Sequence, residues 1–306
     1  MKLTHILVAS DLSAASELAI PHAMALGRAY GARVTLLHID PDFPSVAAPN
    51  SSEVHADRVP ELRRTLGPSL AALRSHGLHA DLTLRRGDAK GSILAASADA
   101  SLIIVTKHGE HATGLIVGST ASWLVQRTAI PVFVVHGPVL GPIETGPEPP
   151  SYDNITVAVD FSDHSIRALE AAIDMAAVVG ATVQAVHVVK ASGCEPDLSG
   201  DKVAWPEVPW KARESVDEAH AALDALVGDG CEVEVRTRVL AVADAASGIV
   251  GAALDAGSGL IFLPTHGKGW LGTALLGNTT EGVMRLSPLP VLVAPRDWLE
   301  RRAANG

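Results

Sequence analysis

Apolar residues cluster in short runs, and the segments between the runs alternate apolar and polar positions with helical spacing. The run "HILVAS" from His5 has strand length, and the segment after it keeps helical spacing until Gly31, a residue type that commonly ends helices. The next run, "RVTLLHI", predicts a second strand, and the alternation continues as helix, strand, helix, strand, glycine-rich loop, helix and final strand. Strands that alternate with helices pair in parallel through right-handed crossovers. The pattern therefore predicts a three-layer α/β/α fold with a mostly parallel sheet.

This order of elements occurs twice along the chain. "HILVASDLSAAS" reappears as "NITVAVDFSDHS", which aligns Asp11 with Asp160. "SLIIVTKHG" matches "GLIFLPTHG", and "IPVFVV" matches "LPVLVA" near the end of each copy. A stretch rich in proline and glycine separates the copies and is typical of a linker. We predict one domain at 1–138, a linker at 139–151, a second domain at 152–299 and a tail at 300–306.

The composition is that of a globular protein with about two domains. Of 306 residues, 47% are hydrophobic and 19% are charged. A formal net charge of −10 disfavours a nucleic-acid-binding protein, which needs a basic face. The two cysteines are too few for a disulfide framework, and no apolar stretch is long enough to cross a membrane. We therefore expect a cytoplasmic protein that binds neither nucleic acid nor a membrane.

No motif indicates catalysis or a structural metal site. H-E-x-x-H and paired Cys/His spacings are absent, although the chain has 13 histidines. G-x-S-x-G is absent, and the adjacent Asp163 and His164 diverge along a helix rather than form a relay. "GKGWLG", from Gly267, satisfies G-x-G-x-x-G but follows a fourth strand, whereas a dinucleotide fingerprint follows a first strand. We expect no catalytic residue and no metal ligand.

Two polar features of each copy are expected at one edge of its sheet. Asp11 and Asp160 follow the first strands, and the glycine-rich loops follow the fourth strands. Ligands of such sheets bind at the carboxyl ends of the strands, near the point where the strand order switches. Each aspartate therefore has two interpretations, a ligand contact or a cap of the following helix.

The glycine-rich loops share a recurring pattern. "KHG" precedes "GST" in the first copy, and "THG" precedes "GNTT" in the second. The later glycine stands just before a helix, where unpaired backbone N–H groups and the helix dipole attract phosphate. The alternative is a tight turn whose serine or threonine caps the helix. The candidate ligand-binding residues are Asp11, His108, Gly109, Gly118, Ser119 and Thr120 in the first copy and Asp160, His266, Gly267, Gly277, Asn278, Thr279 and Thr280 in the second.

With these motifs the chain resembles a tandem universal stress protein. Two universal stress protein domains would cover nearly its whole length. The resemblance implies an adenine-nucleotide alpha-hydrolase-like fold with a five-stranded parallel sheet. Nucleotide-binding members carry G-x-x-G-x9-G-[S/T] around the phosphates and ribose, and an aspartate after the first strand near the adenosine. The resemblance therefore implies ATP or AMP, with Mg²⁺, as the ligand of one or both halves.

Both copies depart from the family motif. Its first glycine is replaced by Thr106 in the first copy and by Pro264 in the second, and proline removes a backbone donor. The first copy is one residue shorter between its glycines, whereas the second has Asn278 where serine or threonine is usual. Loop length favours the second copy as the nucleotide site, and the "GS" ending favours the first.

The second copy contains an additional segment with Trp205 and Trp210 between its second strand and the next helix. Its tryptophans either pack back onto the domain or form a flap for a partner or ligand.

The resulting functional expectation is a stress-response sensor or regulator that binds adenine nucleotide. The alternative is a nucleotide-free scaffold for an unknown protein partner or a small apolar ligand, and a slow ATPase has the least support. The resemblance also implies an intramolecular pseudo-dimer in which the last strands, "IPVFVV" and "LPVLVA", meet, and a homodimer is a further option.

Overall fold

The chain folds into two compact units, Lys2–Pro150 and Ser151–Gly306. The structure is a computed structural model that describes residues 1–40, 58–107, 118–136, 149–200, 202–228, 231–265 and 276–304, without the side chain of Trp210. No helix in these ranges is both long and apolar enough to cross a membrane.

In the first unit, the described residues form a five-stranded parallel sheet in the order β3-β2-β1-β4-β5. The strands are β1 (His5–Ser10), β2 (Arg33–Asp40), β3 (Ala80–Arg86), β4 (Leu102–Thr106) and β5 (Val132–Val135). The helices are α1 (Ala14–Glu17), α2 (Ala19–Tyr30), α3 (Val59–Ser75), α4 (Ala89–Ala96) and α5 (Ser119–Arg127), with a 3₁₀ turn at Ser97–Asp99.

The described part of the second unit repeats this arrangement, with the strand order β8-β7-β6-β9-β10 and parallel pairing. The strands are β6 (Asn154–Ala158), β7 (Thr182–Lys190), β8 (Val235–Val242), β9 (Leu260–Pro264) and β10 (Val291–Ala294). The helices are α6 (Asp163–Val179), α7 (Arg213–Val227), α8 (Ala245–Asp255), α9 (Asn278–Leu286) and α10 (Arg296–Ala304), with a 3₁₀ turn at Trp210–Ala212.

The central strands are buried on both faces. Every residue of β9 is buried, and Ile6, Leu7 and Val8 of β1 are at most 1% exposed. Such strands appear as continuous apolar runs, because helices cover both faces of a parallel sheet. The α/β fold with a mostly parallel sheet, predicted from the sequence, is confirmed.

The first strand of each unit lies in the middle of its sheet, and the strand order switches beside it. In the second unit the chain passes from β6 to β7 and β8 on one side, then crosses to β9 and β10 on the other. The crevice at the carboxyl ends of β6 and β9 is therefore the position where ligands bind in open α/β sheets. Asp160 and the residues before α9 both lie at this edge, as expected from the sequence.

The helix ends follow the sequence signals. α2 ends at Gly31, whose φ of 63° is a left-handed conformation that glycine adopts at low cost. α6 ends in the same way at Gly180, with φ 76°. These two glycines set the direction in which the chain enters β2 and β7.

The additional segment of the second unit packs back onto its own unit at Trp205. Atom Cη2 of the indole lies 3.0 Å from the position a β-carbon on Gly251 would take, so the ring covers α8. The guanidinium of Arg238 lies 4.5 Å from the ring centroid, and indole Nε1 lies 3.3 Å from Asp255 Oδ2. For Trp205 this arrangement favours the packing interpretation over the flap.

Candidate functional site

A tight turn connects β6 to α6 and fixes the carboxylate of Asp160. Oδ1 of Asp160 accepts hydrogen bonds from the Ser162 backbone N–H, at 3.1 Å, and from the Ser162 hydroxyl, at 2.6 Å. Ser162 is the N-cap of α6, and its Oγ accepts from the Ser165 N–H at 3.3 Å. The serine therefore caps the helix, and the aspartate holds the serine in place.

The same turn occurs in the first unit, and in both units its central residue has a positive φ. Oδ1 of Asp11 accepts from the Ser13 N–H at 3.0 Å, and Ser13 is the N-cap of α1. Leu12 has φ 66° and Phe161 has φ 60°, values that are costly for bulky side chains. Backbone strain of this kind collects at functional sites, where the surrounding contacts hold it.

A histidine ties the second strand of each unit to this turn. Nδ1 of His187 lies 2.7 Å from the carbonyl oxygen of Val159, and Nδ1 of His38 lies 2.9 Å from that of Ser10. A carbonyl only accepts, so we assign the ring hydrogen to Nδ1 in each case. The Phe161 ring packs against His187 with 4.6 Å between the centroids.

The N-terminus of α9 forms the other side of the second site. The Gly277 N–H donates to the Thr265 carbonyl at 3.0 Å, and the Thr280 hydroxyl donates to the Pro264 carbonyl at 2.9 Å. Both groups, which were predicted to meet phosphate, already have partners within the chain. Within the described ranges, the amides of Asn278 and Thr279 have no acceptor, and both residues are exposed. At the start of α9, these two amides are therefore the groups that can donate to a further acceptor.

In the first unit, the backbone at Gly118 lies very close to the backbone at Lys107. The Gly118 N–H donates to the Lys107 carbonyl at 2.6 Å, and a β-carbon on Gly118 would lie 2.7 Å from that oxygen. This contact supports the turn interpretation for Gly118. Ser119 and Thr120 follow as the first residues of α5.

A cavity of about 490 Å³ opens at the carboxyl edge of the second sheet. It joins Asp160 to 277–280 at the start of α9, and it is also lined by His187 and Lys190. The remaining lining is mostly apolar and includes Val186, Val188, Ala245, Ile249, Leu263 and Leu276. Small-molecule sites typically combine such apolar walls with a few polar groups. The structure therefore brings Asp160, Gly277, Asn278, Thr279 and Thr280 together as candidate site residues.

Four predicted loop residues lie outside the described residues. They are His108, Gly109, His266 and Gly267.

The two basic residues that line the cavity, His187 and Lys190, were not among the sequence candidates. Lys190 is the exposed last residue of β7, and His187 lies three positions before it. Both residues could have been found from the sequence, because the second strand of each unit pairs with the first strand, which leads to the site.

No three His, Cys, Asp or Glu residues in the described ranges are grouped closely enough to hold a metal ion.

The corresponding edge of the first unit contains buried polar side chains. His38, Asp40 and Lys107 are each 4% exposed, and Arg86 is 8% exposed. Oδ2 of Asp40 lies 3.5 Å from Nε of Arg58. The carboxyl ends of β2, β3 and β4 therefore present buried charged side chains, whereas Lys190 at the end of β7 is exposed.

The duplicated parallel sheet with a crevice at its switch point defines the class of the protein, an α/β protein of two domains that each contain a parallel sheet. The model of the Universal stress protein family matches residues 2–136 and 151–295. The chain therefore belongs to the universal stress protein family and contains two of its domains.

Named relatives and solved structures agree with this family. A universal stress protein of Mycolicibacterium smegmatis is 26% identical over 301 residues, covering 94% of this chain and 96% of the relative. A Thermus aquaticus universal stress protein encoded in the QAH/OAS sulfhydrylase 3′ region is 30% identical over 142 residues, covering 46% of this chain and 98% of its own. A universal stress protein structure from Archaeoglobus fulgidus superposes with a TM-score of 0.63 at 21% identity, covering 96% of this chain and 97% of its own. The structural similarity shows the fold.

Proposed function

We propose that this universal stress protein is a non-catalytic regulator that binds an adenine nucleotide in the cavity of its second unit. One observation carries the proposal: a single cavity contains both Asp160 and the N-terminus of α9, at the switch point of the sheet. The sequence expectation that the protein acts in the cytoplasm, in a stress response, is retained as part of the proposal.

The start of α9 is suited to the phosphate. The amides of Asn278 and Thr279 lie in the first turn of a nine-residue helix, where the helix dipole favours an anion. The Thr279 side chain is exposed and lines the cavity, so its hydroxyl is a further donor.

The apolar walls are suited to the nucleoside. Val186 and Val188 of β7 and Ile249 of α8 line the cavity, and apolar side chains of this kind pack against a base. The cavity volume of about 490 Å³ lies within the range of small-molecule sites. AMP and ATP are the ligands proposed, and Mg²⁺ would enter with ATP.

A regulatory role is favoured over catalysis because Asp160 has a structural task. Two donors of Ser162 bind its Oδ1, which fixes the carboxylate in the turn rather than beside a water nucleophile. Nucleotide would then act as a bound signal.

The first unit is proposed to play a structural part. Its loop is one residue shorter, Gly118 packs on the Lys107 carbonyl, and the charged side chains at the ends of its strands are buried. Trp205 of the additional segment in the second unit packs onto α8, which does not favour a flap for a partner. A scaffold role is therefore proposed for the first unit alone.

The test is direct measurement of bound and added nucleotide. Purified full-length protein is denatured, and the supernatant is analysed for adenine nucleotide. The refolded or nucleotide-stripped protein is then titrated calorimetrically with AMP and with ATP and Mg²⁺. We expect saturable binding of at least one nucleotide. Absence of both released nucleotide and calorimetric binding would reject the proposal and leave the scaffold function.

A further inference from the structure

We propose that the cavity of the second unit prefers nucleotides that carry an additional phosphate on the ribose, and that Lys190 receives this phosphate. The inference rests on the proposed function, because it concerns the same cavity. The inference adds the class of ligand, which is nucleoside bisphosphates with a 2′- or 3′-phosphate in addition to the 5′-phosphate.

The side chain of Lys190 belongs to the face of the sheet on which the cavity lies. Cγ2 of Val188 lies 3.6 Å from the β-carbon position of Gly248, so Val188 faces α8. Side chains two positions apart on a strand point to the same face, and Lys190 is two positions after Val188. Lys190 therefore also stands on the α8 face.

The N-terminus of α9 lies on that same face. The β-carbon position of Gly282 in α9 is 2.7 Å from Cβ of Ala246 in α8, so the two helices pack directly together. Residues 277–280 and Lys190 consequently line one cavity from one side of the sheet.

The two proposed anion-binding groups follow different strands that both end at the cavity. Pro264 ends β9, which leads toward α9, and Lys190 ends β7, with β6 between these strands. Neighbouring strands are about 4.8 Å apart, so the two strand ends are separated by about 10 Å. A nucleotide with its 5′-phosphate at α9 would extend its ribose across β6 toward Lys190.

The charge of Lys190 is available to a ligand. The side chain is exposed, and none of the carboxylates in the described ranges lies within ion-pair distance of its ammonium. The second strand of the first unit instead ends in Asp40, a buried carboxylate beside Arg58. In dinucleotide-binding folds, an acidic residue near the second strand binds ribose hydroxyls, whereas a basic residue accommodates a ribose phosphate. By the same chemistry, Lys190 selects phosphate.

The experiment compares three ligands on the full-length protein. AMP, adenosine 3′,5′-bisphosphate and adenosine 2′,5′-bisphosphate are titrated by calorimetry into wild type, Lys190→Gln and Lys202→Gln. Lys202 is an exposed lysine that does not line the cavity, so its substitution matches the change in net charge. Circular dichroism and thermal unfolding verify that each variant is folded.

We expect wild type to bind one of the bisphosphates about tenfold or more tightly than AMP, as a charge-assisted contact provides. Lys190→Gln should abolish this preference, so that AMP and the bisphosphate bind with affinities within about a factor of two of each other, whereas Lys202→Gln should retain the preference. AMP binding without a bisphosphate preference, or a preference that Lys190→Gln leaves intact, overturns this inference alone. Absence of binding by all three ligands overturns the proposed function as well.

Discussion

The Nδ1 atom of His187 lies 2.7 Å from the carbonyl oxygen of Val159, the residue directly before Asp160. This hydrogen bond ties the end of β7 to the strained turn that holds the Asp160 carboxylate. The first unit has the equivalent bond between His38 and Ser10. In the second unit, the bond between His187 and Val159 explains how the ends of β6 and β7, which line the cavity, keep their positions.

Removal of this bond should loosen the turn. His187→Leu leaves the Val159 carbonyl without the imidazole donor, and we expect the free energy of unfolding of the second unit to fall by about 1–3 kcal/mol. His187→Asn has a donor near the Nδ1 position, and most of that loss should be recovered. Urea unfolding followed by tryptophan fluorescence measures both variants. Equal stability of wild type and His187→Leu would show that the bond contributes nothing.

A carboxylate at the start of α9 should weaken nucleotide binding without unfolding the helix. Asn278→Asp places a negative charge beside the proposed phosphate, and the same charge is favourable for the helix dipole. We expect AMP affinity to fall about tenfold or more, with the melting temperature unchanged or raised.

Ser119→Asp is the matched control, because Ser119 holds the same first position in α5 and is also exposed. Calorimetric AMP affinity should remain near that of wild type in this variant. Loss of affinity in Ser119→Asp, with Asn278→Asp unaffected, would assign the nucleotide to the first unit.

The Trp205 contact should matter for stability and not for binding. Trp205→Ala exposes Gly251 and removes the aromatic ring beneath the Arg238 guanidinium, which keeps its ion pair with Asp255, and we expect a loss of about 2 kcal/mol in the free energy of unfolding. Trp205→Phe retains part of the ring packing and should lose less. AMP affinity should be unchanged in both variants. A folded Trp205→Ala protein that has lost AMP binding would instead support the flap interpretation.

His22 should make the first unit sensitive to acid. Burial beside Phe133, with 5.3 Å between the ring centroids, lowers the pKa of His22 to about 4. Because the folded-state pKa lies below the usual value of about 6.5, protonation favours the unfolded chain. The stability present above pH 6.5 is therefore lost as the pH falls toward 4, by up to about 3 kcal/mol.

The variant His22→Phe, which cannot titrate, tests this pH dependence. Its free energy of unfolding should fall less steeply than that of wild type between pH 6.5 and 4. Parallel stability curves for the two proteins would contradict the assignment to His22.

Much of the fold could be predicted from the sequence, because each buried strand is one apolar run and each glycine stop is local. Gly31 ends α2 where the pattern indicated, and the duplicated order of elements is present in both units. The convergence of Asp160 with 277–280 followed from parallel topology alone. These features depend on nearest neighbours in the sequence or on general rules of chain connection.

Other site features depend on contacts that the sequence does not encode locally. The left-handed φ of Leu12 and Phe161 is rare for bulky residues, so no propensity predicts it. The Gly277 amide donates to the Thr265 carbonyl, and Lys190 lies at the cavity. Both features follow only from the way the strand ends pack in the folded chain. The meeting of the last strands "IPVFVV" and "LPVLVA" stays a prediction.

The stoichiometry of AMP binding tests the central claim most directly. Equilibrium dialysis of nucleotide-stripped, full-length protein against AMP measures the number of sites per chain. Because only the second unit is proposed to bind, we expect saturation at one AMP per chain in wild type and in Ser119→Asp. Saturation at two, or no binding at all, would contradict the account.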